Sequence, residues 1–312
     1  GIHKNPKSKL TLNITGALLE LFDSYGYFDL IDGLKTAGLA GQIEFTGSAK
    51  YHALLPFLSQ QDIIRQIKIN DETNSFYLGD SYHPQGFFPP EMAYHPKLAP
   101  ILADLGYSWV IIDEIALNGQ IEQVDYTKTY KVKDTSLKVF FRERRLSNLI
   151  MSAAVRNSAS LKAAMVSDLH SPRYVITGMD GETFGHHRPG LENLLFEIFA
   201  DPTFNLLTIS QLLDLYPTSV SVEPVLSTWA SSEQDMDNNS QFISWQDPDN
   251  PIHELQWKLY NLANGLSKNV DHKKMDIASA SDHFFWASAK PWWSLEMIEE
   301  GAYRLLDVIA SL

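Results

Sequence analysis

The sequence predicts an α/β part followed by a helical part. Three observations carry this. Short apolar runs of strand type alternate with amphipathic stretches from about residue 9 to residue 217. The amphipathic stretch YFDLIDGLKTAG closes on glycine, as helix ends commonly do. Beyond about residue 220 the strand-type runs stop, and the polar stretch SSEQDMDNNSQ (231–241) leads into long amphipathic segments. Such alternation argues for parallel βα units, closed as a barrel or open as a sheet. The expected boundary gives residues 1–219 to the α/β domain and 220–312 to the helical domain.

In order along the chain, KLTLNIT (9–15) reads as a buried strand, followed by helices over GALLELFDSYG and YFDLIDGLKTAG. GQIEFTG (41–47) is a strand; its period of two puts Gln42 and Glu44 on one face, and Ile43 and Phe45 on the other. An amphipathic helix covers 59–79, and PKLAPILADLG (96–106) is another. YSWVIIDE (107–114) is a strand, and 121–141 reads as short strands. LSNLIMSAAV and ASLKAAMVSDLH are expected helices. RYVITGMD (173–180) is an expected strand, GLENLLFEIFAD (190–201) a helix, and FNLLTISQLLDLYP (204–217) a strand running into a helix. NPIHELQWKLYNLANGLSK and WWSLEMIEEGAYRLLDVIASL are helices, the first starting at Asn250 or Pro251.

Bulk composition narrows the function. With 312 residues, 44% apolar and 20% charged, the chain is globular and long enough for a sizeable core. A net charge of −13 repels nucleic-acid phosphates and anionic membranes, and no basic stripe interrupts it. Neutral substrates are indifferent to that field. The absence of cysteine excludes disulfides, thiolate metal ligands and a cysteine nucleophile. No apolar run approaches transmembrane length. The sequence opens on Gly1 rather than Met, which leaves the true N-terminus open; the expected location is cytoplasmic. Aromatic content is 12%, with seven Trp, and flat apolar rings suit sugar faces as well as cores. Oligomeric state is not legible.

Three acids sit at or just after strand ends: Glu44, Glu91 and Asp180. In parallel barrels such positions converge on one mouth, where two carboxylates can divide acid and nucleophile roles. Two prolines directly before Glu91 in FFPPEMAY force extended backbone, and the aromatic surroundings favour burial of an acid that then needs a reason. DGETFGHH has several readings. A metal site on His186 and His187 is a poor one, because neighbouring side chains diverge. A phosphate cradle lacks the Walker spacing. A strand-end carboxylate and an Asp-Gly turn both remain.

These segments, taken in order, resemble glycoside hydrolase family 57. GQIEFTG is similar to the family's second motif, GFFPPEMAY to the third, DGETFGHH to the fourth and SASDHFFWAS (279–288) to the fifth. The first motif, a His-x-His-Gln-Pro-like stretch on the first strand, is missing; GIHKNPKS has no Gln and no preceding strand. The resemblance implies an irregular (β/α)7-type barrel whose first strand is not in this sequence, with a C-terminal helical domain contributing to the cleft; were that strand absent from the molecule, the barrel would be open on one side. It implies a retaining glycosidase or 4-α-glucanotransferase acting on α-1,4-linked glucans of starch, glycogen or maltooligosaccharide type. Glu91 would be the nucleophile and Asp180 the general acid/base.

The same resemblance places Asp282 and His186 at the substrate. Gln42, Glu44, His52, Tyr94, Glu182, Trp286 and Trp292 complete the expected substrate contacts. Arg142, Arg144 and Arg145 either pair with the site acids or form a solvated basic cluster. No cofactor and no metal are expected, and the expected partner is an α-glucan or oligosaccharide. A metal-dependent carbohydrate deacetylase on a similar barrel, or an inactive carbohydrate-binding relative, are the alternatives.

Overall fold

The computed structural model describes residues 2–217, 219–267, 272–289 and 292–311. Seven strands occur among them: β1 (Leu10–Asn13), β2 (Ile43–Thr46), β3 (Gly86–Phe87), β4 (Trp109–Asp113), β5 (Thr129–Val132), β6 (Lys138–Arg142) and β7 (Ser219–Val222). β1 pairs in parallel with β2, and a parallel bridge between Gly47 and Phe87 carries the array on to β3. β3, β4 and β6 follow in parallel, β5 returns antiparallel to β6, and β7 lies parallel to β5. No pairing among the described residues joins β7 back to β1, so the array is an open, mixed, barrel-like sheet.

Two expected strands are absent as ladder strands. Residues 173–180 run extended beside β6, where Ile176 O accepts from Glu143 N at 2.7 Å, and Tyr174 N donates to Tyr126 O at 3.1 Å. Residues 204–208 lead directly into the helix Ile209–Leu215 without a strand. In both places the apolar pattern reports burial rather than pairing. The short strands expected over 121–141 are β5 and β6, and they form a hairpin.

Local chemistry sets the outer helices. α1 (Gly16–Ser24) starts at Thr15, whose side chain accepts from Leu18 N. α2 (Phe28–Leu39) follows, and α3 (Gln60–Leu78) starts on Ser59, which accepts from Asp62 N. Two fully buried amides on α3 fasten the start of α1: Asn70 Oδ1 accepts from Gly16 N at 2.8 Å, and Asn74 Nδ2 donates to Ile14 O at 2.9 Å. Each bond satisfies one polar atom of an amide that is costly to bury.

One core runs through both halves of the chain. It joins Trp109, Val110, Phe140 and Phe141 of the sheet to Trp245, Tyr260, Phe284 and Leu305 of the helical part. Phe57 packs on Trp257 at 4.8 Å, and Trp257 stacks on Phe284 at 4.1 Å. Arg65 on α3 pairs with Asp276 at 2.7 Å. The boundary expected at residue 219 falls on the first residue of β7. No described helix is long and apolar enough to cross a membrane.

Candidate active site

Glu91 stands just beyond the C-terminal end of β3. Pro89 and Pro90 lead into a single turn, Pro90–Met92, in which Glu91 has φ 59° and ψ 17° and Met92 has φ 46°. Each left-handed non-glycine residue costs about 1–2 kcal/mol. The surroundings hold this pair in place: Met92 N donates to Pro89 O, Tyr94 N to Ser227 O, and Trp229 N to Glu91 O. The carboxylate is therefore aimed by backbone. Its Oε2 accepts from Trp229 Nε1 at 2.7 Å, and its Oε1 lies 3.9 Å from His52 Nδ1. The Glu91 side chain keeps 19% exposure, enough for a ligand to reach it.

Asp180 comes to the same place along the extended segment 173–180. Gly178 permits the approach: a Cβ there would sit 2.9 Å from Met92 Cε, on the Glu91 turn. Arg142 Nε donates to Gly178 O at 2.7 Å and fixes the height of the segment. Both acids are pushed above the usual carboxylate range, and burial in the recess is the main cause for each. For Glu91 the His52 charge and the Trp229 N–H oppose that rise, while the charges of Asp180 and Asp282 add to it. For Asp180 the His52 charge opposes and Glu182 adds. One difference separates them: no donor among the described residues hydrogen-bonds the Asp180 carboxylate. Donors favour the ionised form of a carboxylate; desolvation without donors shifts the balance towards the protonated form.

The helical part supplies a wall of the mouth. The loop after β2 pairs with it through an antiparallel bridge between Ala53 and Ala280, and Ser281 N donates to His52 O at 3.2 Å. His52 Nδ1 and Ser281 Oγ lie 3.1 Å apart. This seam brings Asp282, the first residue of the turn Asp282–Phe285, within electrostatic reach of Glu91. Trp286 follows four positions later and packs edge-on against Trp292 at 5.7 Å; Trp292 is 46% exposed.

Behind the mouth lies a buried charge cluster. Asp113, with no exposure, accepts from Arg142 Nη1 at 2.8 Å, Arg144 Nε at 2.9 Å and Ile115 N at 3.2 Å. The Arg142 guanidinium also covers the Trp229 ring at 5.8 Å, and Arg144 Nη2 donates to Trp229 O at 3.2 Å. The residue that touches Glu91 is thus held at its ring by Arg142 and at its backbone by Arg144.

Comparison with known proteins fits this geometry. The sequence pattern of Glycosyl hydrolase family 57 matches residues 1–221. The chain belongs to that family. It is 23% identical over 246 residues to the α-amylase of Pyrococcus horikoshii, covering 74% of this chain and 38% of that protein. Its fold is similar to that of the 4-α-glucanotransferase of Thermococcus litoralis, with TM-score 0.74, 17% identity, and coverage of 98% of this chain and 52% of the other. It is also similar to the branching enzyme of Pyrococcus horikoshii, with TM-score 0.70, 19% identity, and coverage of 92% and 67%. The chain thus spans well under half the length of the curated amylase.

Set against the family motifs, the expected residues divide. His52 Nδ1 lies 3.9 Å from Glu91 Oε1, and Asp180 and Asp282 lie within electrostatic reach of Glu91. Glu182 and His186 are exposed on the turn after Asp180. Gln42 is a correction: it precedes β2, at the opposite end of the parallel strands from Glu91. Its Nε2 donates to Ile2 O and Asn5 O at 3.0 Å, anchoring the N-terminal segment. Glu44 is also spent on structure, accepting from Thr11 Oγ1 and Ser210 N, each at 3.1 Å, so that it caps the helix Ile209–Leu215. Tyr94 is fully buried in the core, closed to any sugar. Arg142 and Arg144 do not form a solvated cluster; they pair with Asp113, an acid the sequence reading did not single out. Arg145 pairs with Glu143 and Asp168. Trp229 was missed as well. It lies in a loop after β7 with no local pattern, and only its indole N–H, a donor suited to a carboxylate, offered a signal.

The divergence argued for His186 and His187 does not hold either. Their rings lie 5.1 Å apart, and His187 Nε2 is 3.0 Å from Glu182 Oε2.

Proposed function

We propose that the chain is a retaining enzyme acting on α-1,4-linked glucans, by hydrolysis or by glucanosyl transfer. One observation carries the reading: two carboxylates with raised pKa values stand within electrostatic reach of each other, and only Glu91 is held by a described donor. Glu91, bonded to Trp229, is suited to remain ionised and attack the anomeric carbon. Asp180, desolvated and without a donor, is suited to keep the proton it delivers to the leaving oxygen. The covalent glycosyl–Glu91 ester then forms as the glycosidic bond breaks. Asp180 takes a proton from water, or from an acceptor sugar hydroxyl, and that oxygen displaces Glu91.

Asp282 would bind sugar hydroxyls, with Trp286 and Trp292 offering apolar faces beside it. The names of similar proteins, α-amylase and 4-α-glucanotransferase, support the substrate class. A cytoplasmic location belongs to the same proposal and is tested by cell fractionation.

The decisive experiment uses a fluorinated, activated glucosyl substrate that traps the intermediate. The label should appear by mass spectrometry on the peptide carrying Glu91. Maltoheptaose turnover followed by proton NMR should show the α-anomer forming first. A β-anomer as first product would remove the retaining mechanism, and label on another residue would remove Glu91 from its role.

A further inference from the structure

The turn after Asp180 gathers three metal-ligand side chains. Glu182, His186 and His187 hold ligand atoms within 4.8 Å of one another, the one such group among the described residues. Backbone sets the spacing: His187 N donates to Glu182 O at 2.8 Å, a bridge links Phe184 to Arg188, and Gly185 takes φ +113°, closed to ordinary side chains. A buried carboxylate oxygen without a partner, Glu192 Oε2, lies beneath Gly185. The nearby cation, Arg188, is bonded to backbone: its Nε donates to Met151 O at 3.0 Å and its Nη1 to His187 O at 3.3 Å.

We propose that Glu182, His186 and His187 bind one divalent transition-metal ion of the zinc, nickel or copper class on the rim of the mouth. Two imidazoles and a carboxylate form a donor set for such ions, and poorly suit calcium or magnesium. A tetrahedral ion with bonds of about 2.0–2.1 Å spaces its ligands about 3.4 Å apart. The Glu182–His187 pair is already inside that span at 3.0 Å. His186 is exposed, so rotation of its side chain closes the remaining distance. Three protein ligands leave a position for water, and the ion takes no part in the proposed glycosyl chemistry.

The inference goes beyond the glycosidase reading and does not depend on it, because its test needs no turnover. Full-length, metal-free protein is titrated with Ni²⁺ by calorimetry and with Cu²⁺ by electron paramagnetic resonance. The expected result is one saturable site, with hyperfine coupling to two imidazole nitrogens. His187→Ala and His186→Ala should each weaken Ni²⁺ binding by at least about tenfold. All three positions are exposed, and circular dichroism confirms that the variants fold. Absence of a saturable site overturns the proposal. So does Ni²⁺ affinity that is unchanged in the His186→Ala/His187→Ala double variant.

Discussion

Asp113 and Asp180 both lie close to Arg142, and their environments are opposite. Asp113 is fully buried and accepts from two guanidinium groups and a backbone N–H. Asp180 keeps an exposed surface at the mouth, and no described donor bonds it. Burial with partners builds a scaffold; partial desolvation without partners favours the protonated acid. The same arginine serves both, pairing with one acid and fixing through Gly178 O the extended segment that carries the other.

The largest expected effects separate the two regions by readout. Glu91→Gln should lower turnover by at least about 10⁴-fold, and Asp180→Asn by about 10²–10⁴-fold, with both proteins folded. Asp113→Ala should instead remove about 3–5 kcal/mol of stability, because it leaves two arginines buried without their acid. Urea denaturation beside maltooligosaccharide assays measures both. An Asp113→Ala protein of unchanged stability would break the contrast.

Next in size is Trp229→Phe. Losing a hydrogen bond to a charged group weakens transition-state support by about 1.5–3 kcal/mol, or roughly 10–100-fold in kcat. The lost donor favoured ionised Glu91, so the acidic limb of the pH–rate profile should move to higher pH. A role in packing alone would lower stability and leave that limb in place.

A smaller effect concerns stability and pH. Burial raises the Asp180 pKa above its unfolded value, so the folded state binds that proton more tightly. The contribution is present below the unfolded pKa, about 3.9, and is lost as pH rises through the folded value. Asp180→Asn should therefore raise Tm at neutral pH, and the gain should vanish near pH 3. Calorimetric scans at the two pH values check the sign. Smallest of all, a chelator should leave glucan turnover unchanged. Loss of activity restored by one added metal would favour deacetylase-type chemistry instead.

How much of this was legible depended on the range of the interaction. Helices announced themselves through local period, and the family through motif order. Gln42 misled because a residue pattern does not say which end of a strand opens on the mouth; Gln42 enters β2, whereas Glu91 leaves β3. Tyr94 misled because adjacency to a site acid says nothing about side-chain direction. The Asp113–Arg142–Trp229 chain was invisible, since its members lie 29 positions apart for the first pair and are joined only in space. Segment 173–180 read as a strand because burial and pairing leave the same apolar signature.

The seam between Ala53 and Ala280 has a consequence for substrate choice. The family pattern ends at residue 221, and both carboxylates fall inside it; Asp282, Trp286 and Trp292 fall outside. The proposed bond-breaking groups and the proposed sugar-facing surface therefore lie on different stretches of polypeptide, joined by a short backbone contact. A change confined to the distal stretch would then alter substrate choice and leave the two carboxylates untouched.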